Sequence, residues 1–154
     1  MARRPPVIDY HGEFVFALSC AELWRSIEHV ERFPRWWPWL SDFSWQGTGL
    51  RKGTVLRGVV DPPVPYTMRV DVVFGPCRRP RSIDAAIHGD LEGEAHLRLH
   101  PQEGGSRAEV HWEVEMMQRP MRIADAVAHP LLRWGHDRVV EMTVAGFRRH
   151  AEIR

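Results

Sequence analysis

LEGEAHLRLH, residues 91–100, and EVHWEVEM, residues 109–116, decide the fold of this 154-residue chain. In both segments apolar or small side chains alternate with charged or polar ones, which is typical of strands with one buried face and one face in water. Gly104 and Gly105 stand between the segments and mark a tight turn. The two segments therefore predict an antiparallel β-hairpin.

The β-pattern continues toward the N-terminus. Strands are predicted over residues 42–48, 54–61, 66–74 and 82–87, with glycine- or proline-rich turns between them. Residues 9–18 alternate in the same way and add a strand at the start of the chain. Together these segments predict an antiparallel sheet of about seven strands.

Helical segments lie on either side of this β-rich region. Ser19 and Glu22 form a capping-box pattern, so a helix is predicted over residues 20–29. Pro34 and Pro38 limit the next segment to one short helical turn. Near the C-terminus we expect a short helix over residues 121–127, a break at His129-Pro130 and a longer amphipathic helix over residues 130–150.

Composition and charge limit the kinds of function that this chain is expected to have. The chain carries 21 basic and 20 acidic residues, so no strong attraction to nucleic acid or to an anionic membrane is expected. Its length fits one domain, residues 1–154. With no signal peptide pattern and no apolar run of membrane-spanning length, we expect a cytoplasmic protein. We expect a monomer or a homodimer.

Four short segments carry a resemblance to a known superfamily. They are Phe33-Pro-Arg-Trp-Trp-Pro-Trp39, Gly47-Thr-Gly-Leu-Arg-Lys-Gly53, Gly89-Asp-Leu-Glu-Gly93 and Leu132-Arg-Trp-Gly-His-Asp137. With the order of elements, they resemble the START-like, or SRPBCC, superfamily, which includes Bet v 1-like and polyketide cyclase/dehydrase-like proteins. The resemblance implies a helix-grip α+β fold, in which a bent antiparallel sheet wraps around a long C-terminal helix.

Members of that superfamily bind lipids, hormones, polyketides or aromatic intermediates between sheet and helix, and some catalyse cyclisation or dehydration there. The resemblance therefore implies either a binder of a hydrophobic or aromatic small molecule or a polyketide cyclase/dehydratase-like enzyme. No cofactor is expected in either case. The side chains expected to contact the ligand are Trp37, Trp45, Leu56, Met68, Val70, Trp112, Val114, Val139 and Met142.

Three side chains are the candidates for catalysis. Arg57 lies in a strand that is apolar on both faces, so it points either into the pocket, where it would bind a carboxylate or enolate oxygen, or into water. Tyr66 offers a hydroxyl donor but is equally suited to a structural role at a strand start. His136 is either a general acid or base at the edge of the helix's apolar arc or a histidine with satisfied hydrogen bonds.

Two further groups of side chains are candidates for binding sites. His96 and His100 share the outer face of one strand, but at about 3.3 Å per residue they are roughly 13 Å apart, too far for one metal ion. No metal site is therefore expected. The cluster Trp36, Trp37 and Trp39 is a candidate for the pocket mouth, a membrane contact or a dimer patch.

Overall fold

The computed structural model describes residues 7–61, 67–117 and 125–151, with side chains in the last range from Arg133 to Arg149. In chain order the elements are β1 (Val7–Phe16), α1 (Cys20–Glu28), a 3-10 turn (Val30–Arg32), α2 (Phe33–Trp36), β2 (Leu40–Gln46), β3 (Val55–Val60), β4 (Met68–Arg78), β5 (Ser82–Gly89), β6 (Leu91–Gln102), β7 (Gly105–Met116) and α3 (Asp125–Ala151).

The strands form one seven-stranded sheet in the order β1-β7-β6-β5-β4-β3-β2. Every neighbouring pair is antiparallel, and β1 and β2 are the two edges. The predicted strand count and the helix-grip class are confirmed. They were predictable because most of the strands alternate with a period of two residues, which puts their apolar side chains on a single face.

Two apolar clusters occupy opposite ends of the inner face of the sheet. The first lies under α1 and α2 and includes Phe16, Leu23 and Trp24. The second contains Ile8 and Met68, at the other end of β1 and on β4. Ile8 and Phe16, eight residues apart on one strand, are roughly 27 Å apart, whereas Val72 beside the first cluster and Val70 beside the second are only two residues apart on β4.

The two N-terminal helical segments form as expected. Ser19 Oγ accepts a hydrogen bond from Glu22 N at 3.1 Å, and Glu22 Oε1 accepts one from Ser19 N at 3.4 Å, so the capping box is present. Pro34 stands in the first turn of α2, where its missing N–H costs nothing. None of the described helices is long and apolar enough to cross a membrane.

The expected break at His129-Pro130 is wrong, because α3 runs without interruption from Asp125 to Ala151. Pro130 is the sixth residue of this helix, close to its N-terminal end, so its missing N–H removes a backbone hydrogen bond from the second turn only. Residues 121–124 of the predicted short helix lie outside the described part of the chain.

Gly146 allows α3 to approach α2 closely, because a Cβ there would collide with the carbonyl oxygen of Trp36. Replacing glycine by alanine inside a helix normally stabilises it by about 1 kcal/mol. For Gly146→Ala we expect the opposite sign, a loss of about 1–3 kcal/mol in the free energy of unfolding, because the backbones must move apart. Urea denaturation would measure this, and a more stable variant would show that the contact is not tight.

Candidate functional site

A cavity of about 460 Å³ lies between the inner face of the sheet and α3. Its walls are almost entirely aliphatic and aromatic. The sheet contributes Ile8, Phe14, Phe16, Val60, Met68, Ile87, Leu91, Ala95, Leu97, Ala108, Val110, Trp112, Val114 and Met116. The helices and the segment after α2 contribute Leu23, Ile27, Phe33, Trp37, Trp39, Gly135, His136, Val139, Val140, Thr143, Val144 and Phe147.

Five of the expected ligand contacts lie on this wall. They are Trp37, Met68, Trp112, Val114 and Val139. Four of the five were placed by simple strand alternation or by the apolar arc of α3, which shows how much of the wall those two periodicities determine. Their contact with a ligand remains a prediction.

The other four expected contacts do not line the cavity. Trp45 lies on the edge strand β2 and is 44% exposed. Leu56 packs against the first apolar cluster and Val70 against the second. Alternation put Leu56 and Val70 on the inner face but gave no information about which part of that face stays open.

Met142 falls outside the lining because α3 is rotated relative to the expected arc. At about 100° per residue, the lining residues of α3 centre roughly 80° away from the midpoint of Val139 and Met142, the two contacts predicted on this helix. The side facing the cavity therefore includes His136, Val140 and Val144. Trp134, on the opposite side, is 50% exposed.

Arg57 does not reach the cavity. It is paired with Asp71 across β3 and β4, and its Nε lies 3.7 Å from Asp71 Oδ2 on the outer face. The neighbouring Leu56 pairs with Val72 on the inner face, so the side chain of Arg57 points outward. The strand register thus determines the direction of Arg57, which the sequence alone left undetermined. Tyr66 lies outside the described residues.

His136 is on the cavity wall, within a small aromatic cluster. Trp112 Nε1 donates a hydrogen bond to His136 Nε2 at 2.9 Å, so Nε2 carries no proton. His136 Nδ1 then carries the proton and donates it to Asp137 Oδ1 at 3.1 Å. Tyr10 stacks on Trp112 with ring centroids 4.6 Å apart and packs edge-on against His136 at 5.1 Å. With both nitrogens engaged, His136 acts here as a hydrogen-bond acceptor for the indole.

Tyr10 was not singled out from the sequence as a site residue. The available signal was its inward position on the first predicted strand, but its pairing with Trp112 is a long-range register that one sequence does not show.

The cluster carries no charge on the cavity side at neutral pH. Burial lowers the pKa of His136 below its usual 6.5, and the nearby Asp137 carboxylate opposes this only in part. Burial, together with Asp137, raises the pKa of Tyr10 above 10.0. Both groups are therefore neutral at pH 7, which keeps the wall suited to an uncharged ligand.

The lowered pKa of His136 predicts a pH dependence of stability. Because the pKa of His136 is lower in the folded chain, the unfolded chain binds a proton there more readily near pH 6.5. The contribution of the neutral imidazole to stability is therefore complete above that pH and is lost as the pH falls toward the folded pKa. Relative to wild type, His136→Gln should lose less stability between pH 7.5 and pH 5.5, because glutamine can accept from Trp112 without titrating. Identical urea midpoints against pH in both proteins would contradict the assignment.

Hydrogen-bonding groups on the wall are few, and most are occupied. Trp37 Nε1 donates to the backbone oxygen of Thr143 at 2.9 Å, and Thr143 Oγ1 donates to the oxygen of Val139 at 2.6 Å. Trp39 stacks on Trp37 with centroids 5.4 Å apart. Its Nε1 is buried and has no partner among the described residues. This N–H is not exposed to the cavity, so a ligand there reaches it only when the Trp39 side chain moves.

A scan against protein-family models and a search of curated proteins found no match to the sequence. Solved structures do match over nearly the whole chain. The KanY protein is 11% identical with a TM-score of 0.72, covering 96% of this chain and 99% of that one. The Zhui aromatase/cyclase from Streptomyces is 14% identical with a TM-score of 0.70, covering 96% and 94%. The chain has the Bet v 1-like, or SRPBCC, fold.

One further structure with a similar fold was solved with small molecules bound. Norcoclaurine synthase from Thalictrum flavum, solved in complex with dopamine and hydroxybenzaldehyde, is also similar, at 15% identity and a TM-score of 0.64, covering 98% of this chain and 90% of that one. At identities this low the likeness establishes the fold, and the function must be argued from the residues of this chain.

Proposed function

We propose that the protein binds an uncharged, apolar or aromatic small molecule in the cavity between the sheet and α3. The observation that carries this is the composition of the wall: no Asp, Glu, Lys or Arg is among the lining residues that the structure describes. A charged ligand would lose its hydration without gaining an ion pair, which costs several kcal/mol. A cavity of about 460 Å³ falls in the size range of small-molecule sites.

The buried N–H of Trp39, which has no partner among the described residues, supports a more specific ligand class. A buried donor without a partner costs about 1–3 kcal/mol, and a ligand with one carbonyl or ether oxygen would recover much of it by drawing the Trp39 indole N–H toward the cavity. The stacked rings of Trp37 and Trp39 offer flat apolar area beside that donor. The proposed ligand is therefore an aromatic or apolar molecule with a hydrogen-bond acceptor.

Three probes with one skeleton test this proposal: diphenylmethane, benzophenone and the anionic benzoylbenzoate. Quenching of tryptophan fluorescence should show saturable binding of benzophenone at one molecule per chain. Benzoylbenzoate should bind at least about tenfold more weakly, since 1.4 kcal/mol corresponds to a factor of ten. Trp39→Phe should remove the advantage of benzophenone over diphenylmethane. If neither diphenylmethane nor benzophenone shows saturable binding, the proposal is wrong.

A second candidate is a polyketide cyclase/dehydratase-like enzyme acting in the same cavity. The observation in its favour is that a titratable group, His136, lies on the wall next to Tyr10. A substrate oxygen would have to replace the Trp112 N–H at His136 Nε2 before that atom could accept a proton. Arg57 cannot assist, because it lies on the outer face. The enzyme proposal therefore predicts that His136→Gln abolishes turnover while probe binding persists.

A further inference from the structure

Three histidines form a row across the outer face of the sheet. His11 of β1 is paired with His111 of β7, and His111 is paired with His96 of β6. The rings of His11 and His111 are nearly parallel, with centroids 3.9 Å apart. The row is on the opposite side of the sheet from the cavity and has no part in the proposed function.

Asp9 completes a three-residue group with two of these histidines. It precedes His11 by two residues on β1, so both side chains project from the same face. Asp9 Oδ1 lies 2.9 Å from His111 Nε2 and 3.7 Å from His11 Nε2. One ligand atom from each of the three side chains lies within 4.8 Å of the other two.

We propose that Asp9, His11 and His111 bind a divalent transition-metal ion, for which Zn²⁺ is the best match. Zinc takes imidazole nitrogens and carboxylate oxygens at about 2.0–2.2 Å, which in a tetrahedral site places the ligand atoms roughly 3.3 Å apart. The distances from Asp9 Oδ1 to His111 Nε2, 2.9 Å, and to His11 Nε2, 3.7 Å, lie on either side of that value. Two nitrogen ligands out of three favour such an ion over Mg²⁺ or Ca²⁺, which prefer oxygen.

The backbone is already in position for this site. β1 pairs with β7 along all ten of its residues, so the three Cα positions are held by the sheet ladder. The parallel imidazoles must tilt toward each other to direct both lone pairs at one ion. His11 has room to make that rotation because its side chain is 69% exposed, and three protein ligands leave a fourth coordination position for water.

The surrounding charges favour a cation. Glu113 is paired with Asp9 in the register and projects from the same face. His96 is already engaged by Asp84, with His96 Nδ1 2.6 Å from Asp84 Oδ1, so it is not counted as a ligand. The sequence could not show this site, because 100 residues separate His11 from His111.

A bound ion would link the edge strand to its neighbour behind the aromatic wall of the cavity. Tyr10 lies between Asp9 and His11, and Trp112 follows His111, with both aromatic side chains on the inner face. The ion would therefore resist fraying of β1, and ligation should raise the melting temperature of the folded chain by mass action.

Isothermal titration of the tag-free, chelator-treated chain with zinc chloride tests the proposal. We expect one ion per chain, with a dissociation constant below about 100 µM, and a higher melting temperature with zinc. His11→Asn and His111→Asn should each weaken binding by at least about tenfold. His88→Asn is the matched control, because His88 forms a two-residue pair with Glu92, 3.0 Å away, on the same face.

Two outcomes would overturn the proposal. One is the absence of saturable zinc binding to the wild-type chain. The other is equal affinity in the wild type and in the Asp9→Asn/His11→Asn double variant, which would place any binding elsewhere. Circular dichroism of each variant separates a lost ligand from a lost fold.

Discussion

Ala95→Phe is expected to weaken benzophenone binding by about 10- to 100-fold, equivalent to about 1.4–2.8 kcal/mol. Ala95 lies in the middle of β6, between Ala85 and Trp112 in the register, and its side chain lines the cavity. A phenyl ring there would occupy the space that the ligand needs. Because the cavity receives the ring, the overpacking cost of about 1–3 kcal/mol that a filled core would impose should not arise.

Ala86→Phe is the matched control, since it introduces the same side chain on β5 at a position that pairs with Glu94 on the outer face. It should leave benzophenone affinity unchanged. Fluorescence titration of both variants measures the effect, and urea denaturation checks that each remains folded. If Ala95→Phe binds as tightly as the wild type, the ligand does not occupy this cavity.

Phe147→Ala should lower the free energy of unfolding by about 3–5 kcal/mol. Phe147 is only 7% exposed, and its ring packs edge-on against Phe16 at 5.4 Å and Trp36 at 5.3 Å. It therefore fastens α3 to both the sheet and α2. Removing it takes away apolar contacts and leaves a void that the rigid neighbours cannot close.

Trp134→Ala is the control on the same helix. Trp134 is 50% exposed on the side of α3 that faces away from the cavity, so its loss should change stability by no more than about 0.5 kcal/mol. Equilibrium urea unfolding of both variants gives the comparison. If both variants lose a similar amount of the free energy of unfolding, α3 is not held in place by Phe147.

The sequence predicted the strands better than the site, and particular residues show why. The inward positions of Leu97, Val110 and Trp112 follow from alternation within each strand, which is a local property. The capping box of Ser19 and Glu22 is local as well, and it is present. Trp45, Leu56, Val70 and Met142 were misplaced relative to the cavity, because which parts of an inner face are covered depends on elements distant in the chain.

The amino-acid sequence by itself determined the seven strands, the short helices after the first strand and the apolar character of the inner face, since each follows from spacing within about ten residues. The tertiary structure decided which way Arg57 points, how far α3 is rotated, that Trp112 donates to His136, and that Asp9 and His11 meet His111. Each of these depends on strand register or helix docking between residues far apart in the chain. Such pairings are set by the packing of the whole sheet against its helices. The periodicity within a single segment does not reveal them.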